Sequence, residues 1–190
     1  MKQYTRAIPQ FSLCGLNCTF CPKYRTSGDS RCPGCGGPDF YEKHPACGVV
    51  SCSLRHGGVE YCFQCEAYPC AKYTGLSEKD SFMPYIHVLR DMEEAKSGGM
   101  DAYLHRLDKK SRILDELLEH WDNGRLKSFY CLAVNLLPLE DLASAMDRLG
   151  EQANGLDFRE KADQAIRGKM ARDCFEALAA DQGIMLKLRK

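Results

Sequence analysis

The sequence is organised around a cysteine-rich stretch that begins at Cys14 and ends at Cys70. Its motifs are CGLNCTFCP (14–22), CPGC (32–35), CGVVSC (47–52), CFQC (62–65) and YPC (68–70). These motifs contain ten of the twelve cysteines in the 190-residue chain. Three of the spacings are C-x2-C, which lets two thiolates point at one ion while the intervening amides turn toward the sulfurs. The stretch therefore predicts a metal-binding module.

The overall composition is that of a folded protein without polyelectrolyte character. Hydrophobic residues make up 44% of the chain, and 26 basic side chains balance 26 acidic ones. Net charge thus gives no argument for a nucleic-acid or anionic-membrane partner. Residues 1–13 lack the apolar core of a secretion signal, and the apolar run at 129–137 is too short to span a membrane. We expect a cytoplasmic protein, where dense cysteines indicate metal more often than disulfides.

All ten cysteines of the stretch are candidate metal ligands: Cys14, Cys18, Cys21, Cys32, Cys35, Cys47, Cys52, Cys62, Cys65 and Cys70. A sequential partition assigns four thiols in chain order to each of two zinc ions: Cys18, Cys21, Cys32 and Cys35, then Cys47, Cys52, Cys62 and Cys65. An interleaved partition pairs the first C-x2-C with the third. Both partitions leave Cys14 and Cys70 as further ligands, a thiol pair or buried side chains. His44 and His56 are interpreted as loop residues that could replace a cysteine.

Zinc is the predicted metal, and an iron–sulfur cluster is the alternative, because thiolates hold both. The opening C-x3-C-x2-C is also the spacing with which radical S-adenosylmethionine enzymes hold a four-iron cluster. Such enzymes need a β/α barrel, whereas the chain after residue 75 shows no alternating strands. The sequence also lacks a P-loop, G-x-G-x-x-G, G-x-S-x-G or H-E-x-x-H motif. These observations favour a protein that is not an enzyme.

After residue 75 the apolar residues recur with helical periodicity. The predicted domains are a cysteine-rich module over residues 1–75 and a helical region over residues 76–190. Helices are expected over about 82–97, 100–121, 129–137, 138–149 and 158–182. Phe82, Ile86, Leu89 and Met92 are expected on one face of the first helix. The apolar residues expected to form the last helix are Phe158, Ala162, Ile166, Met170 and Leu178. The tail 184–190 alternates at period two, which predicts a short edge strand.

The predicted fold is mainly α. A small, irregular, metal-stapled module of zinc-knuckle or zinc-ribbon type would pack on a C-terminal helical bundle. We expect two structural zinc ions and a surface presented to another protein. An iron–sulfur redox or electron-transfer protein is one alternative. A nucleic-acid-binding zinc module is the other, with five basic side chains as candidate contacts: Lys23, Arg25, Arg31, Arg55 and Lys72.

The cysteine series resembles the cysteine-rich domain of unknown function 3795, a family of anaerobic bacteria and archaea. The residues that support the resemblance are Cys14-Gly15-Leu16, Cys18, Cys21-Pro22, Cys32-x-Gly34-Cys35, Cys47, Cys52, Cys62-x2-Cys65 and Tyr68-Pro69-Cys70. The segments 127–137 and 183–190 also resemble longer members of the family. Zinc binding has been suggested for the family, which has no assigned activity. The resemblance thus implies a metal module and no particular reaction.

Overall fold

The computed structural model describes residues 4–76, 78–158 and 160–190. Over these residues the chain is mainly helical, as predicted, with seven α-helices and no β-strand. None of the described helices combines the length and the apolar character needed to cross a membrane. The chain divides into two compact units. The first comprises Met1–His105 with Leu188–Lys190, and the second comprises Arg106–Lys187.

The cysteine-rich part of the first unit consists mainly of turns. It contains two short helices, α1 (Phe40–Lys43) and α2 (Gly48–Arg55), and three 3-10 turns, Cys18–Phe20, Cys62–Gln64 and Ala71–Tyr73. Its buried apolar side chains are few for its length: Phe11, Leu13, Phe20, Cys35, Phe40, Val50, Tyr61 and Tyr73.

Glycine is required where this stretch approaches a helix. Gly15 has φ +93°, and a Cβ atom there would lie 2.4 Å from the Cγ atom of the buried Met92. Met92 belongs to α3 (Val88–Ser97). A side chain at position 15 would therefore strain the backbone and collide with the helix.

The first unit extends beyond the predicted boundary at residue 75, because α3 and the start of α4 (Met100–Glu116) pack on the cysteine-rich stretch. Asn17 Nδ2 donates a hydrogen bond to Asp91 Oδ2 at 2.9 Å, and Tyr103 Oη donates one to Asn17 Oδ1 at 2.8 Å. The rings of Phe11 and Tyr103 lie 4.8 Å apart. Buried polar and aromatic contacts thus tie the turns to these helices.

The first long helix begins later than predicted, at Val88 rather than near Phe82. The N–H of Tyr85 donates to Asp80 Oδ1 at 2.9 Å, and the N–H of Ser81 donates to the Met83 carbonyl. Pro84 also disfavours helical dihedrals at the preceding residue. Of the four apolar residues expected on one face, Met92 is fully buried, whereas Phe82, Ile86 and Leu89 are 57%, 53% and 47% exposed.

The second unit is built from the remaining helices. A π-helical turn, Leu117–Trp121, continues α4, and three helices follow: α5 (Lys127–Leu136), α6 (Leu139–Gln152) and α7 (Lys161–Asp181). Every residue of α5 from Tyr130 to Leu136 is buried, as its nearly all-round apolar sequence predicts. Arg167 of α7 is only 1% exposed.

The predicted edge strand at the C-terminus is not formed, and residues 184–190 are irregular. One residue pair holds the end of the tail instead. The N–H of Arg189 donates to Asp80 Oδ2 at 2.7 Å, and the N–H of Asp80 donates to the Arg189 carbonyl at 3.1 Å. A side-chain ion pair between Asp80 Oδ1 and Arg189 Nη2 at 2.6 Å accompanies these bonds.

Candidate metal centre

The ten predicted ligands are free thiols in the first unit, and the structure separates them into two groups. We call the first the six-thiol group: Cys14, Cys18, Cys21, Cys32, Cys35 and Cys47. We call the second the four-thiol group: Cys52, Cys62, Cys65 and Cys70. The remaining cysteines, Cys131 and Cys174, lie in α5 and α7 of the second unit.

Burial and mutual repulsion favour the protonated thiols in the six-thiol group. Burial is the main cause that raises the pKa of Cys14 to about 12. The neighbouring Cys35 and Cys47 also act to raise this pKa, against the lowering hydrogen bond with Ser12. Burial, followed by the charges of Cys35, Cys14 and Cys21, raises the pKa of Cys18 well above its usual range. A bound cation would therefore have to displace protons from these sulfurs.

The four-thiol group surrounds a small cavity of about 30 Å³. All four sulfur-bearing residues line it, together with His56 and Tyr73. Burial raises the pKa of Cys62, and the neighbouring Cys70, Cys52 and Cys65 raise it further, although a hydrogen bond with Tyr73 lowers it. A cavity needs roughly 10–15 Å³ to hold one water molecule. This cavity therefore has room for a single ion.

The six-thiol group borders a much larger cavity, of about 440 Å³. Four of its residues line that cavity: Cys14, Cys18, Cys35 and Cys47. Cys21 and Cys32 are not among the lining residues. Aromatic side chains, including Phe40, Phe82 and Tyr85, form other parts of the wall. The volume lies within the range of roughly 300–1,000 Å³ that is typical of small-molecule and cofactor sites.

The two groups agree only in part with the sequential partition: Cys18, Cys21, Cys32 and Cys35 stay in one group, whereas Cys47 and Cys52 lie in different groups. Cys47 borders the cavity of Cys14 and Cys18 instead of joining Cys52, and Cys70 joins Cys52, Cys62 and Cys65. The first and third C-x2-C motifs also lie in different groups. The difference arises at α2, a helix that the sequence did not predict. Cys47 directly precedes this helix and Cys52 lies within it, so the C-x4-C spacing directs the two thiols to different sides.

Hydrogen bonds from outside the groups reach several of these sulfurs. Ser12 Oγ accepts the Leu16 N–H at 2.7 Å and lies within hydrogen-bonding distance of Cys14 Sγ, at 3.2 Å. Tyr4 Oη lies 3.9 Å from Cys35 Sγ. Tyr73 Oη donates to the Cys14 carbonyl at 3.2 Å, and Tyr73 lines both cavities. Such contacts orient ligands around a metal site.

The two histidines of the stretch also border the cavities. His44 lines the larger one, stacks on Phe40 with ring centroids 4.7 Å apart, and has Nδ1 at 2.7 Å from the Pro45 carbonyl. His56 lines the smaller one, with Nδ1 at 3.7 Å from Cys52 Sγ and 2.9 Å from the Cys52 carbonyl. Either ring is placed to support a neighbouring thiolate or to replace one.

Across the described part of the chain, no three or more Cys, His, Asp or Glu side chains are already arranged to hold a metal ion. The thiols line shared cavities without meeting at one point. Neutral thiols have no electrostatic reason to converge, whereas a cation draws deprotonated sulfurs toward itself.

Two of the five basic residues proposed as nucleic-acid contacts are engaged within the fold. Arg25 Nε donates to the Thr19 carbonyl at 2.6 Å. Arg31 Nε donates to the Tyr24 carbonyl at 3.0 Å, and its guanidinium lies 4.8 Å from the centre of the Tyr24 ring. Both side chains therefore have structural roles, and the nucleic-acid alternative stays a prediction.

Comparison with known families bears on the same stretch. A family model described as "Protein of unknown function (DUF3795)" matches residues 10–75. The chain resembles DUF3795 over these residues. The resemblance inferred from the cysteine motifs is thereby confirmed for that range, and all ten candidate ligands lie within the DUF3795 match. Neither a curated protein nor a solved structure matches the chain.

Proposed function

We propose that residues 10–75 form a zinc-binding module in which the four-thiol group holds one structural zinc ion. The observation that supports this proposal is the shared cavity of Cys52, Cys62, Cys65 and Cys70, whose volume of about 30 Å³ suits one ion. Zinc favours four thiolates in tetrahedral coordination, and structural zinc sites leave no coordination position open.

Zinc at this position would join segments that few other contacts hold together. Cys52 belongs to α2, Cys62 and Cys65 flank a 3-10 turn, and Cys70 directly precedes the turn Ala71–Tyr73. Few apolar side chains are buried along these segments, so zinc–thiolate bonds would supply much of their folding free energy. The ion would thus staple the module, most effectively in the reducing cytoplasm.

The six-thiol group forms the second metal-binding part of the proposed module. Its cysteines come from three parts of the stretch: the motif at 14–22, the motif at 32–35 and Cys47. The predicted surface for another protein and the predicted bundle of the helical region stay predictions.

Elemental analysis of the full chain, purified without oxygen, tests the proposal. We expect at least one zinc ion per chain, and we expect Cys65→Ser to lose about one ion because Ser replaces a thiolate that zinc prefers. Cys174→Ser is the matched control, since Cys174 lies in α7 of the second unit. Unchanged zinc content in Cys65→Ser, or zinc well below one per chain in the unaltered protein, would overturn the proposal.

A further inference from the structure

The two cysteine groups differ in the size of the cavity that they border. The larger cavity, about 440 Å³, has roughly fifteen times the volume of the smaller one, about 30 Å³. Zinc bonds to sulfur at about 2.3 Å, so a lone ion bound by four thiolates forms a compact unit. Such a unit suits the smaller cavity and would leave most of the larger one unfilled.

The walls of the larger cavity supply the thiol ligands that a larger inorganic group requires. Four thiols reach it from separate parts of the chain: Cys14, Cys18, Cys35 and Cys47. Iron–sulfur clusters are held by four cysteine thiolates, and their bridging sulfide ions fill the space that a single ion would leave. Leu16, Phe40 and Val49 contribute apolar or aromatic wall. An apolar surround of this kind limits the access of water to a cluster.

Polar groups at the same cavity suit the charge of a cluster. A cluster with four thiolate ligands adds negative charge, and the Lys72 side chain lines this cavity. The Ser12 hydroxyl, 3.2 Å from Cys14 Sγ, is placed to donate to a ligating sulfur. Hydrogen bonds to the sulfurs and local burial are the means by which proteins set the reduction potential of a cluster.

We propose that the six-thiol group binds an iron–sulfur cluster through Cys14, Cys18, Cys35 and Cys47, beside the zinc site of the four-thiol group. This inference rests on the proposed function in that it takes residues 10–75 as a metal-binding module. Cys21 and Cys32 lie near the ligands without lining the cavity and are not ligands of the cluster. The C-x3-C-x2-C motif is therefore divided, with only its first two cysteines bound to iron.

Reconstitution of the full chain with ferric iron, sulfide and a thiol reductant, without oxygen, tests this assignment. We expect iron and acid-labile sulfide in equal amounts, at two to four of each per chain as in common clusters. We also expect visible absorption that dithionite bleaches, and about one zinc ion retained. A colourless protein that takes up no sulfide and holds zinc at both groups would overturn the proposal.

Single substitutions test the ligand set. Cys14→Ser and Cys47→Ser should lose most of the iron and sulfide but keep the zinc of the four-thiol group. The retained zinc shows that the module is folded. Cys21→Ser is the matched control, because Cys21 belongs to the same group without lining the cavity, and it should keep its iron. Iron that survives Cys47→Ser but is lost in Cys21→Ser would overturn the assignment.

Cys65→Ser completes the design by separating the two proposals. It should lose zinc and keep iron, the reverse of Cys47→Ser. Iron and sulfide bound in the absence of zinc would overturn only the zinc proposal. Zinc at the four-thiol group with no iron or sulfide would overturn only the cluster.

Discussion

Cys47 and Cys52 stand at the two sides of one short helix and line different cavities. Cys47 is the extended residue that directly precedes the helix and Cys52 lies inside it, so the helix carries the second thiol away from the first. Helix α2 thus separates the six-thiol group from the four-thiol group. The buried side chains of Val50 and Ser53 hold the helix in place between them.

The separation of these cysteines by α2 predicts that zinc binding depends on the position of each thiol as well as on the number of thiols. The double variant Ser51→Cys/Cys52→Ser keeps the number of cysteines but moves one thiol by about 100° around α2. Ser51 is exposed, so the moved thiol points away from the four-thiol cavity. We expect the variant to lose about one zinc ion per chain, as Cys52→Ser does. Full zinc content in the double variant would show that residues 47–52 bind metal as an adaptable loop.

Sequence periodicity predicted the long helices well and missed the helix that divides the thiols. Helices α4 to α7 are long enough for a repeating apolar pattern. Helix α2 has eight residues and buries only Val50 and Ser53, so it leaves almost no periodic signal. Cysteine spacing consequently predicted that Cys47 and Cys52 share an ion. The spacing predicts a metal-binding stretch, whereas the division of its thiols into two groups depends on tertiary structure.

Some apolar residues that periodicity grouped on one face of α3 and of α7 are exposed, each for a physical reason. Phe82 and Ile86 precede the first residue of α3, so helical periodicity does not apply to them. In α7, Ile166 is 48% exposed while the neighbouring Arg167 is 1% exposed. An apolar pattern cannot reveal that a guanidinium is buried to satisfy backbone carbonyls.

Gly15 is predicted to be intolerant of any side chain. A Cβ atom at this position would lie 2.4 Å from Met92 Cγ, and the backbone has φ +93°. We expect Gly15→Ala to destabilise the first unit by about 2–4 kcal/mol, through backbone strain and a core collision. Amide hydrogen exchange of residues 10–35, followed by mass spectrometry, measures this loss.

Gly28→Ala provides the matched control for Gly15→Ala. Gly28 has a similar φ, +79°, but no atom lies within 4 Å of the added Cβ. Only backbone strain applies here, so we expect Gly28→Ala to lower the free energy of unfolding by about 1–2 kcal/mol. Equal effects of the two substitutions would contradict a collision between position 15 and α3.

Arg167 is predicted to be essential for the stability of the second unit. Its guanidinium donates to the carbonyls of His120, Asp157 and Phe158 at 2.9, 2.8 and 3.2 Å, and it lies 4.3 Å from the Phe158 ring centre. A lysine ammonium cannot reproduce this planar set of donors. We expect Arg167→Lys to lower the free energy of unfolding of the second unit by about 2–4 kcal/mol.

Fluorescence offers a direct measurement of the Arg167→Lys effect. Trp121 is the single tryptophan of the chain and lies buried in the second unit, so its emission follows unfolding in urea. Arg172→Lys is the control, because Arg172 lies in the same helix but pairs with Glu176 at the surface. We expect no measurable shift of the midpoint for Arg172→Lys. Equal shifts for both variants would refute the role assigned to Arg167.

The pairing of Asp80 with Arg189 predicts that the C-terminus is released in acid. Burial raises the pKa of Asp80, but hydrogen bonds from the Arg189 side chain and from the N–H groups of Arg189 and Tyr85 outweigh it and hold the pKa below its ordinary value. A carboxyl with a lowered folded pKa stabilises the fold fully above its unfolded pKa, about 3.9. That stabilisation is lost as the pH falls through the lower, folded pKa. We therefore expect residues 188–190 to stay held at pH 5 and to detach only below about pH 4.

The Arg189 Nε–H resonance, followed by NMR from pH 6 to pH 2, reports the Asp80–Arg189 pairing locally. In the unaltered protein it should keep its hydrogen-bonded shift until the pH falls below 4. In Asp80→Asn, which removes the charge but keeps the size of the side chain, the released-state shift should appear already at pH 6. Asp101→Asn is the control, because Asp101 carries the same charge on the exposed face of α4 and should leave the resonance unchanged. A titration midpoint above 4, or a normal shift in Asp80→Asn, would contradict an ion pair that anchors the tail.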